Sequence, residues 1–266
     1  MITPLILTYN EAPNIARTLE KLCWAKEIVV VDSFSTDETC KLLAEWPNVR
    51  LIQRVFDNHT SQWNFGIDQC NTPWVLALDA DYVLGDELIG ELSVFGKSEI
   101  SKNPTSQVDG ADSPVAYQAR FRYCIHGRPL RGTLYPPRAV LFRKDKCLYE
   151  QDGHTQRLSL NGATGWLQGV IDHDDRKPLS HWLWAQERYA TLEAQKLLGS
   201  ASTNLPLQDR IRRKIIVAPA LVFFYTLFAK GLILDGLPGW YYVMQRTISE
   251  MLLSLRLIEA RFHRKR

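Results

Sequence analysis

The stretch LALDADYVL, residues 76–84, places two aspartates one residue apart directly after a run of apolar residues. Residues i and i+2 of a strand face the same side, so Asp79 and Asp81 converge if the extended backbone persists through Ala80. Two ionised carboxylates a few ångströms apart repel each other unless a cation or a shared proton relieves them. Mg²⁺ and Mn²⁺ prefer oxygen ligands and often bind through one or two carboxylates plus substrate phosphates. The stretch therefore indicates either a divalent-metal site or a strand end followed by an ordinary turn acid.

The first 95 residues alternate strand-like and helix-like segments. Runs rich in Val, Ile and Leu predict strands, and helical periodicity predicts helices between them. Near-continuous apolar strands separated by helices are typical of a parallel sheet covered on both faces. The predicted strands are ITPLILT (2–8), EIVVVD (27–32), VRLIQR (49–54) and WVLALD (74–79), and the predicted helices are EAPNIARTLEKLCWA (11–25), STDETCKLLAEW (35–46, with a serine N-cap) and HTSQWNFGIDQC (59–70).

Polar side chains lie where the predicted strands end, which is where ligands of such sheets bind. The first strand leads into Thr8, Tyr9 and Glu11, which supply a hydroxyl and an aromatic face on which a base can stack. Asp32 ends the second strand and can accept a hydrogen bond from a base N–H or a ribose hydroxyl. Each of these residues alone is compatible with turn chemistry. Together with Asp79, at successive strand ends, they indicate a nucleotide site.

After residue 95 the pattern of polar and apolar residues changes. Residues 96–114 are polar and predict a loop, whereas residues 115–125 and 138–144 predict alternating, antiparallel strands. Residues 179–199 predict a strong amphipathic helix. The final third is helical in pattern again, and it contains the uncharged run IIVAPALVFFYTLFA, residues 215–229.

Composition narrows the class of protein. The chain is 45% hydrophobic and 23% charged, as in globular proteins, and its net charge of +3 is too weak to indicate a nucleic-acid partner. Its five cysteines are widely spaced and lack a C-x-x-C pair. This argues against a zinc site or a disulfide framework and favours a reducing compartment. The opening MITPLILTYNE has no basic region, so no signal peptide is expected.

The motifs resemble those of the family 2 glycosyltransferases, inverting nucleotide-sugar enzymes with a GT-A fold. The likeness continues into the lipopolysaccharide-core glucosyltransferase branch and covers roughly residues 1–200. It implies an α/β fold of GT-A (Rossmann-like) type: a mixed, mostly parallel sheet flanked by helices, with a C-terminal helical extension that associates with a membrane. The matching motifs are LILTYNE, VVVDSFSTDET, NFGIDQC and WVLALDADYVL, followed by RAVLFRKDK, DGHTQRL, GVIDHDD and HWLWAQERYATLEAQKL.

The resemblance assigns the nucleotide to the first strand ends. Thr8, Tyr9, Glu11 and Asp32 are expected to hold the nucleotide, with uridine as the expected base. Asp79 is expected near the ribose and the metal shell. Ser33 and Phe34 lie where many family members carry a second acid and a glycine. Recognition of the base can therefore differ from that in those members.

The resemblance also implies a metal ion. Asp81 is expected to ligate Mg²⁺ or Mn²⁺ directly, with Asp79 close by. His173 is a candidate third ligand, as a later histidine is in several GT-A enzymes. The alternative for His173 is a hydrogen-bonded histidine at a sheet edge.

The general base is the least defined part of the expected site. Relatives often read His-Glu where this chain reads His154-Thr155, so the acid expected there is missing. We hypothesise that Asp152, in the exposed loop expected over EQDGH, takes this role, with Glu150 as the alternative. Asp174 and Asp175 also remain open.

These expectations define a domain organisation and a reaction. Residues 1–200 would form the catalytic domain, with a nucleotide-sugar half (1–95) and an acceptor half (96–200), and residues 201–266 a helical, apolar and basic extension. The enzyme would move a sugar from a UDP-sugar such as UDP-glucose to a hydroxyl of a glycan or lipid-linked acceptor in cell-envelope polysaccharide synthesis.

Two other functions remain open at this point. A nucleotidyltransferase also uses a parallel sheet and metal-binding carboxylates, but it usually has a Gly-rich phosphate loop with a basic residue after the first strand, which LTYNEAPN lacks. A catalytically degenerate glycosyltransferase acting as a binding subunit is the second. A glycosidase fits poorly, since its carboxylates stand at least about 5 Å apart across a sugar.

The uncharged run predicts a membrane contact. With 15 residues, residues 215–229 fall short of the ~20 that cross a bilayer, and Pro219 interrupts them. A buried core helix is the alternative. However, DRIRRK precedes the run, GWYYV follows it, and the chain ends in RFHRKR, as suits a bilayer surface with anionic headgroups. We therefore expect a cytoplasmic protein attached peripherally to the inner face of the cell membrane.

Overall fold

The computed structural model describes residues 1–101, 113–152, 155–199 and 205–263 of the protein. The chain divides into two compact units. The first comprises Met1–His126, Tyr135–Gln151 and Thr155–Arg176, and the second comprises Gly127–Leu134, Asp152–His154 and Lys177–Arg266.

The first unit contains a main sheet whose strands follow the order β3-β2-β1-β4-β8-β6-β11-β5. β9 and β10 form a separate two-stranded sheet. Along the chain the elements are β1 (Ile2–Thr8), α1 (Ile15–Glu20), β2 (Ile28–Asp32), α2 (Thr39–Ala44), β3 (Val49–Gln53), α3 (His59–Gln69), β4 (Trp74–Asp79), β5 (Tyr82–Leu84), α4 (Asp86–Ser101), β6 (Ala116–Ile125), β7 (Arg128–Pro129, in the second unit), β8 (Arg138–Arg143), β9 (Cys147–Asp152), β10 (Thr155–Leu160) and β11 (Thr164–His173).

The sheet is parallel where the strands are most apolar. β3, β2, β1 and β4 run parallel to one another, and every residue of β2 is buried. β8 runs antiparallel to β4 and β6, as expected for residues 115–125 and 138–144, and β11 is parallel to β6. The expected architecture, a mixed and mostly parallel sheet flanked by helices, is confirmed.

Two predicted helices are shorter in the structure. The helix expected over residues 11–25 ends at Glu20, because the following backbone bonds close tight three-residue turns such as Leu22 N–H to Leu19 O. The helix expected from Ser35 begins at Thr39. The prediction of a serine N-cap is wrong, because the hydroxyl and the N–H of Ser35 are both donated to Asp32 instead.

Two predicted loops are partly regular structure. The loop expected over residues 96–114 is wrong for residues 96–101, since α4 continues to Ser101, and residues 102–112 lie outside the described ranges. The apolar face of α4, with Leu88 and Leu92 buried, carries the helix past the predicted boundary. The exposed loop expected over EQDGH is wrong for residues 150–152, which belong to β9.

The second unit is helical. α5 packs against α8 through small and aliphatic side chains, and Arg212 of α6 pairs with Glu250 of α8 at 2.8 Å. The structure thus groups α5 with the C-terminal helices, whereas the sequence analysis assigned residues 1–200 to one domain. Its elements are α5 (Leu179–Gly199), α6 (Leu207–Arg212), α7 (Val217–Phe224), a π-helical turn (Tyr225–Ala229), a 3₁₀ turn (Leu232–Asp235) and α8 (Gly236–His263).

No single helix within the described ranges is long and apolar enough to cross a bilayer. The segments Val217–Ala229 and Leu232–His263, bent by 68° at the break between them, meet the length and composition requirement as a pair.

Two glycines beside α4 give a direct test of the packing between α4 and β11. A Cβ on Gly169 would lie 2.5 Å from the backbone of Leu88, whereas a Cβ on Gly90 would have no atom within 4 Å. We expect Gly169→Ala to lower the free energy of unfolding by about 1–3 kcal/mol through overpacking. Gly90→Ala, on α4 itself, should raise the free energy of unfolding by about 0.5–1 kcal/mol because alanine is the better helix former. Urea unfolding measures both, and a neutral Gly169→Ala would contradict this packing.

Candidate active site

Thr8 and Asp32 lie side by side at the carboxyl ends of β1 and β2, where they are register partners. The Thr8 hydroxyl donates to Asp32 Oδ2 at 2.8 Å, and Ser35 donates its N–H and hydroxyl at 2.9 and 2.5 Å. Burial opposes the charge of Asp32, but the hydrogen bonds from Ser35, Thr8 and Gln53 outweigh it and lower the pKa. Asp32 is thus a buried carboxylate that fixes the loop after β2. Its contact with a nucleotide stays a prediction.

The loop after β1 is held in one conformation while its aromatic ring stays accessible. Asn10 adopts a positive φ of 55°, and its side-chain oxygen accepts from the N–H of Thr36 at 2.8 Å. The Glu11 N–H donates to Thr39 Oγ1 at 2.8 Å. Tyr9, 47% exposed, presents its ring at this edge, and Phe34, 49% exposed, lies in the neighbouring loop. Two exposed rings on fixed loops are suited to stacking a base.

Asp79 and Asp81 do not share one strand. β4 ends at Asp79, and Ala80 and Asp81 form a turn, so the expectation of an extended backbone through Ala80 is wrong. The chain changes partners here, because β4 pairs with β1 and β8 whereas β5 pairs with β11. Thr18 donates to the Ala80 carbonyl at 2.7 Å, and the N–H of Asp174 donates to the Asp81 carbonyl at 3.1 Å. The turn is therefore held by α1 and by the end of β11.

His173 lies against Asp81, with 3.1 Å between Nε2 and Oδ2. Burial opposes protonation of the ring, but Asp81, Asp79 and Asp175 outweigh it and raise the pKa. The imidazole Nδ1 is buried and has no hydrogen-bond partner among the described residues. The structure thus brings together two of the three predicted metal ligands. Within the part of the chain that the structure describes, no three His, Cys, Asp or Glu side chains cluster as a metal site.

A buried ionic network anchors this corner, and sequence reasoning missed it. Arg17 in α1 donates to the carboxylate of Asp174 at 2.8 Å and to its carbonyl at 2.9 Å. Arg176 donates to the same carboxylate at 2.9 Å, and Asn14 donates to Asp175 at 2.9 Å. The network joins the start of α1 to the residues that follow His173. Its only sequence signal was the run of charges in DHDDR.

The candidate general bases fall into different surroundings. Asp174 is engaged by two arginines, and Asp175 accepts from Asn14. Glu150 is exposed on β9, and because strand residues alternate, it faces away from the side on which Tyr149 stacks on Trp63. Asp152 is the last residue of β9, and its side chain lies outside the described part of the structure. The choice between Asp152 and Glu150 stays a prediction.

Comparisons with known proteins identify relatives of this chain. Residues 5–93 match the family described as Glycosyl transferase family 2. LpsC of Rhizobium meliloti (strain 1021), a lipopolysaccharide core biosynthesis glycosyltransferase by name, is 25% identical over 97% of this chain and 92% of its own. An uncharacterized glycosyltransferase of Rickettsia bellii (strain RML369-C) is 29% identical over 90% of this chain and 80% of its own.

Solved structures of S. aureus TarS are similar to the chain over nearly its whole length. TarS 1–349 has a TM-score of 0.45 and 12% identity, covering 100% of this chain and 92% of that structure. Its complex with UDP-GlcNAc has a TM-score of 0.46 and 13% identity, covering 97% and 92%.

The matched family segment, residues 5–93, contains the four parallel strands and the strand-end residues Thr8, Asp32, Asp79 and Asp81. Relatives named as glycosyltransferases extend the similarity to 90% or more of the chain. The family expected from the motifs, glycosyltransferase family 2, is confirmed as the one whose model this chain matches, over residues 5–93.

Proposed function

We propose that this protein is an inverting, metal-dependent hexosyltransferase. It moves a sugar from a UDP-sugar, such as UDP-glucose, to a hydroxyl of a glycan or lipid-linked acceptor in cell-envelope polysaccharide synthesis. The observation that carries the proposal is that Thr8, Asp32 and Asp79 end adjacent parallel strands, with Asp81 in the turn that follows Asp79. The name of LpsC supports the assignment to lipopolysaccharide core synthesis, and the match of residues 5–93 to a glycosyltransferase family disfavours the nucleotidyltransferase.

The donor occupies the carboxyl edge. The nucleoside lies over β1 and β2, where the ring of Tyr9 is exposed to stack on the base and Asp32 orients the loop carrying Ser35. Asp79 comes next along the edge: it ends β4 and pairs with Leu7 of β1. This order along the edge supports a diphosphate bound beside Asp79 and Asp81.

The residues present fit a divalent cation that is held largely by the substrate. Asp81 and His173 are adjacent, and Nδ1 of the imidazole is buried without a hydrogen bond among the described residues. Mg²⁺ is usually bound by one or two carboxylates plus substrate phosphates, so a protein cluster of three ligands is not required. Asp81, Asp79 and His173 would hold Mg²⁺ or Mn²⁺, which would neutralise charge on the departing diphosphate.

The chemistry of transfer is a single in-line displacement with inversion. The acceptor hydroxyl attacks the anomeric carbon, the bond to the diphosphate breaks, and a carboxylate takes the hydroxyl proton. Asp152, the last residue of β9, is the proposed base. Tyr149 of the same strand is bonded to α3: its N–H donates to Asn64 Oδ1 at 2.9 Å, and its carbonyl accepts from Asn64 Nδ2 at 3.0 Å.

Asp81→Asn tests the proposed metal ligand while keeping the size of the side chain. We expect hydrolysis or transfer of labelled UDP-glucose with Mn²⁺ to fall by at least ~100-fold, since even outer-shell partners cost 10–100-fold. Asp86→Asn is the control, because its carboxylate is 88% exposed on α4. Wild-type activity that survives EDTA, or an active Asp81→Asn enzyme, would refute the metal proposal. A wild type inactive with every nucleotide-sugar would favour the degenerate binding subunit.

Asp152→Asn tests the proposed general base. Turnover should fall by roughly 100-fold or more while the affinity for UDP with Mn²⁺ stays unchanged, because the base acts on the acceptor proton. Glu150→Gln, two residues away, is the matched variant and should retain near-normal turnover. The opposite result, with Glu150→Gln inactive and Asp152→Asn active, would transfer the role to Glu150.

The second unit carries an apolar surface that we assign to the bilayer. Its large exposed side chains lie around α7, on the two turns after it and at the start of α8; the cations Arg213 and Lys214 precede this segment and Lys230 lies within it. Apolar side chains bordered by cations suit an anionic membrane surface, where a lipid-linked acceptor resides. The exposed apolar residues are Ile216, Leu221, Phe224, Phe228, Leu234 and Leu237.

Vesicle flotation tests peripheral attachment at the inner membrane face. The full chain should float with anionic vesicles, and the double variant Phe228→Glu/Leu237→Glu should stay at the bottom, because these side chains are 58% and 84% exposed. Val94→Glu, at a position 67% exposed on α4 in the other unit, is the control and should float. Equal flotation of the double variant, or a wild type that does not float, would contradict the assignment.

A further inference from the structure

Arg138 begins β8 beside Asp79, and sequence reasoning gave it no role. β8 runs antiparallel to β4 with Trp74 paired to Arg143 and Leu76 to Leu141. Because β8 runs antiparallel to β4, its first residue, Arg138, lies towards the carboxyl end of β4, where Asp79 is close enough to act on the charge of the guanidinium. The guanidinium thus stands at the edge that carries the proposed donor site, on the side of β4 away from β1 and β2.

The Arg138 side chain is held in place without using its hydrogen-bond donors. Its guanidinium carbon lies 4.7 Å from the ring centre of Tyr135, and the Tyr135 hydroxyl in turn contacts that of Tyr82. Its backbone pairs with Ala119 of β6, and its guanidinium, partly enclosed by neighbouring side chains but accessible to solvent, makes no hydrogen bond or ion pair within the ranges that the structure describes. Five N–H donors in a planar fork are therefore available to a ligand.

The electrostatic surroundings keep Arg138 charged beside the acidic edge of the sheet. Burial opposes the charge of Arg138, but Tyr135, Tyr82 and Asp79 outweigh it and raise the pKa. Asp79 and Asp81 alone would repel a diphosphate, so a fixed cation beside them lowers the cost of binding one. Arginine matches phosphate geometry with two parallel N–H donors, which a lysine does not provide.

We propose that Arg138 binds the distal phosphate of the nucleoside diphosphate, the phosphate bonded to the sugar in the donor. This inference rests on the proposed function and adds to it a residue for the leaving group. The order along the sheet supports it, because the nucleoside lies over β1 and β2 and the distal phosphate must lie farther along, past Asp79 towards β8. When the glycosidic bond breaks, its electron pair goes to an oxygen of this phosphate, and Arg138 stabilises the charge gained there.

The test compares the binding of UDP and UMP by titration calorimetry in the presence of Mn²⁺. Wild-type protein should bind UDP more tightly than UMP. Arg138→Gln should lose about 10- to 100-fold in affinity for UDP and leave UMP unchanged, the effect of a lost charge-assisted hydrogen bond. Arg138→Lys should retain part of the affinity for UDP, because it keeps the charge without the fork.

Arg120→Gln is the matched control, since Arg120 is also exposed on the sheet and stacks over Trp166 at 5.5 Å. It should bind both nucleotides as the wild type does. If Arg138→Gln binds UDP as tightly as wild type, or weakens UDP and UMP equally, the inference is overturned while the proposed function stands. A folded wild type that binds no nucleoside diphosphate with Mn²⁺ overturns both.

Discussion

β1, β2 and β4 are buried over almost their whole length, and the rest of the structure depends on this burial. A parallel strand covered on both faces admits no unpaired charge, so its polar residues are confined to its ends. The registers Thr8 to Asp32 and Leu7 to Asp79 then align those ends along one edge. The apolar composition that forms the core therefore also concentrates the polar groups of the site.

The second constraint is the change of partner between Asp79 and Tyr82. β4 leaves the parallel sheet and β5 joins β11, and this switch brings Asp81 against His173. The ion pair of Arg17 with Asp174 lies just beyond His173 and links it to α1. Leaving one partner of a buried ion pair uncompensated is strongly unfavourable, so the network favours a single geometry of this corner. Site geometry and local stability are thus coupled.

The parallel half of the fold could be predicted from the sequence because its signals are local. Runs of Val, Ile and Leu gave the strands, and the motifs at their ends gave the family. Other features depend on contacts between distant segments. The sequence predicts a helix cap at Ser35, but the Ser35 hydroxyl donates to Asp32. It is compatible with a strand through Ala80, but Ala80 lies in a turn and its carbonyl accepts from Thr18. The role proposed for Arg138 rests on the antiparallel position of β8 next to β4, which a single sequence does not reveal.

In the proposed reaction, Asp79 and Asp81 bind a nucleoside diphosphate together with a divalent cation. Thermal unfolding of the wild-type protein tests it directly, since a ligand that binds only the native state raises the apparent stability. UDP and Mn²⁺ together should raise the Tm well beyond the sum of their separate effects. An equal rise from UDP in the presence of EDTA, or no rise with any nucleoside diphosphate, would contradict the account.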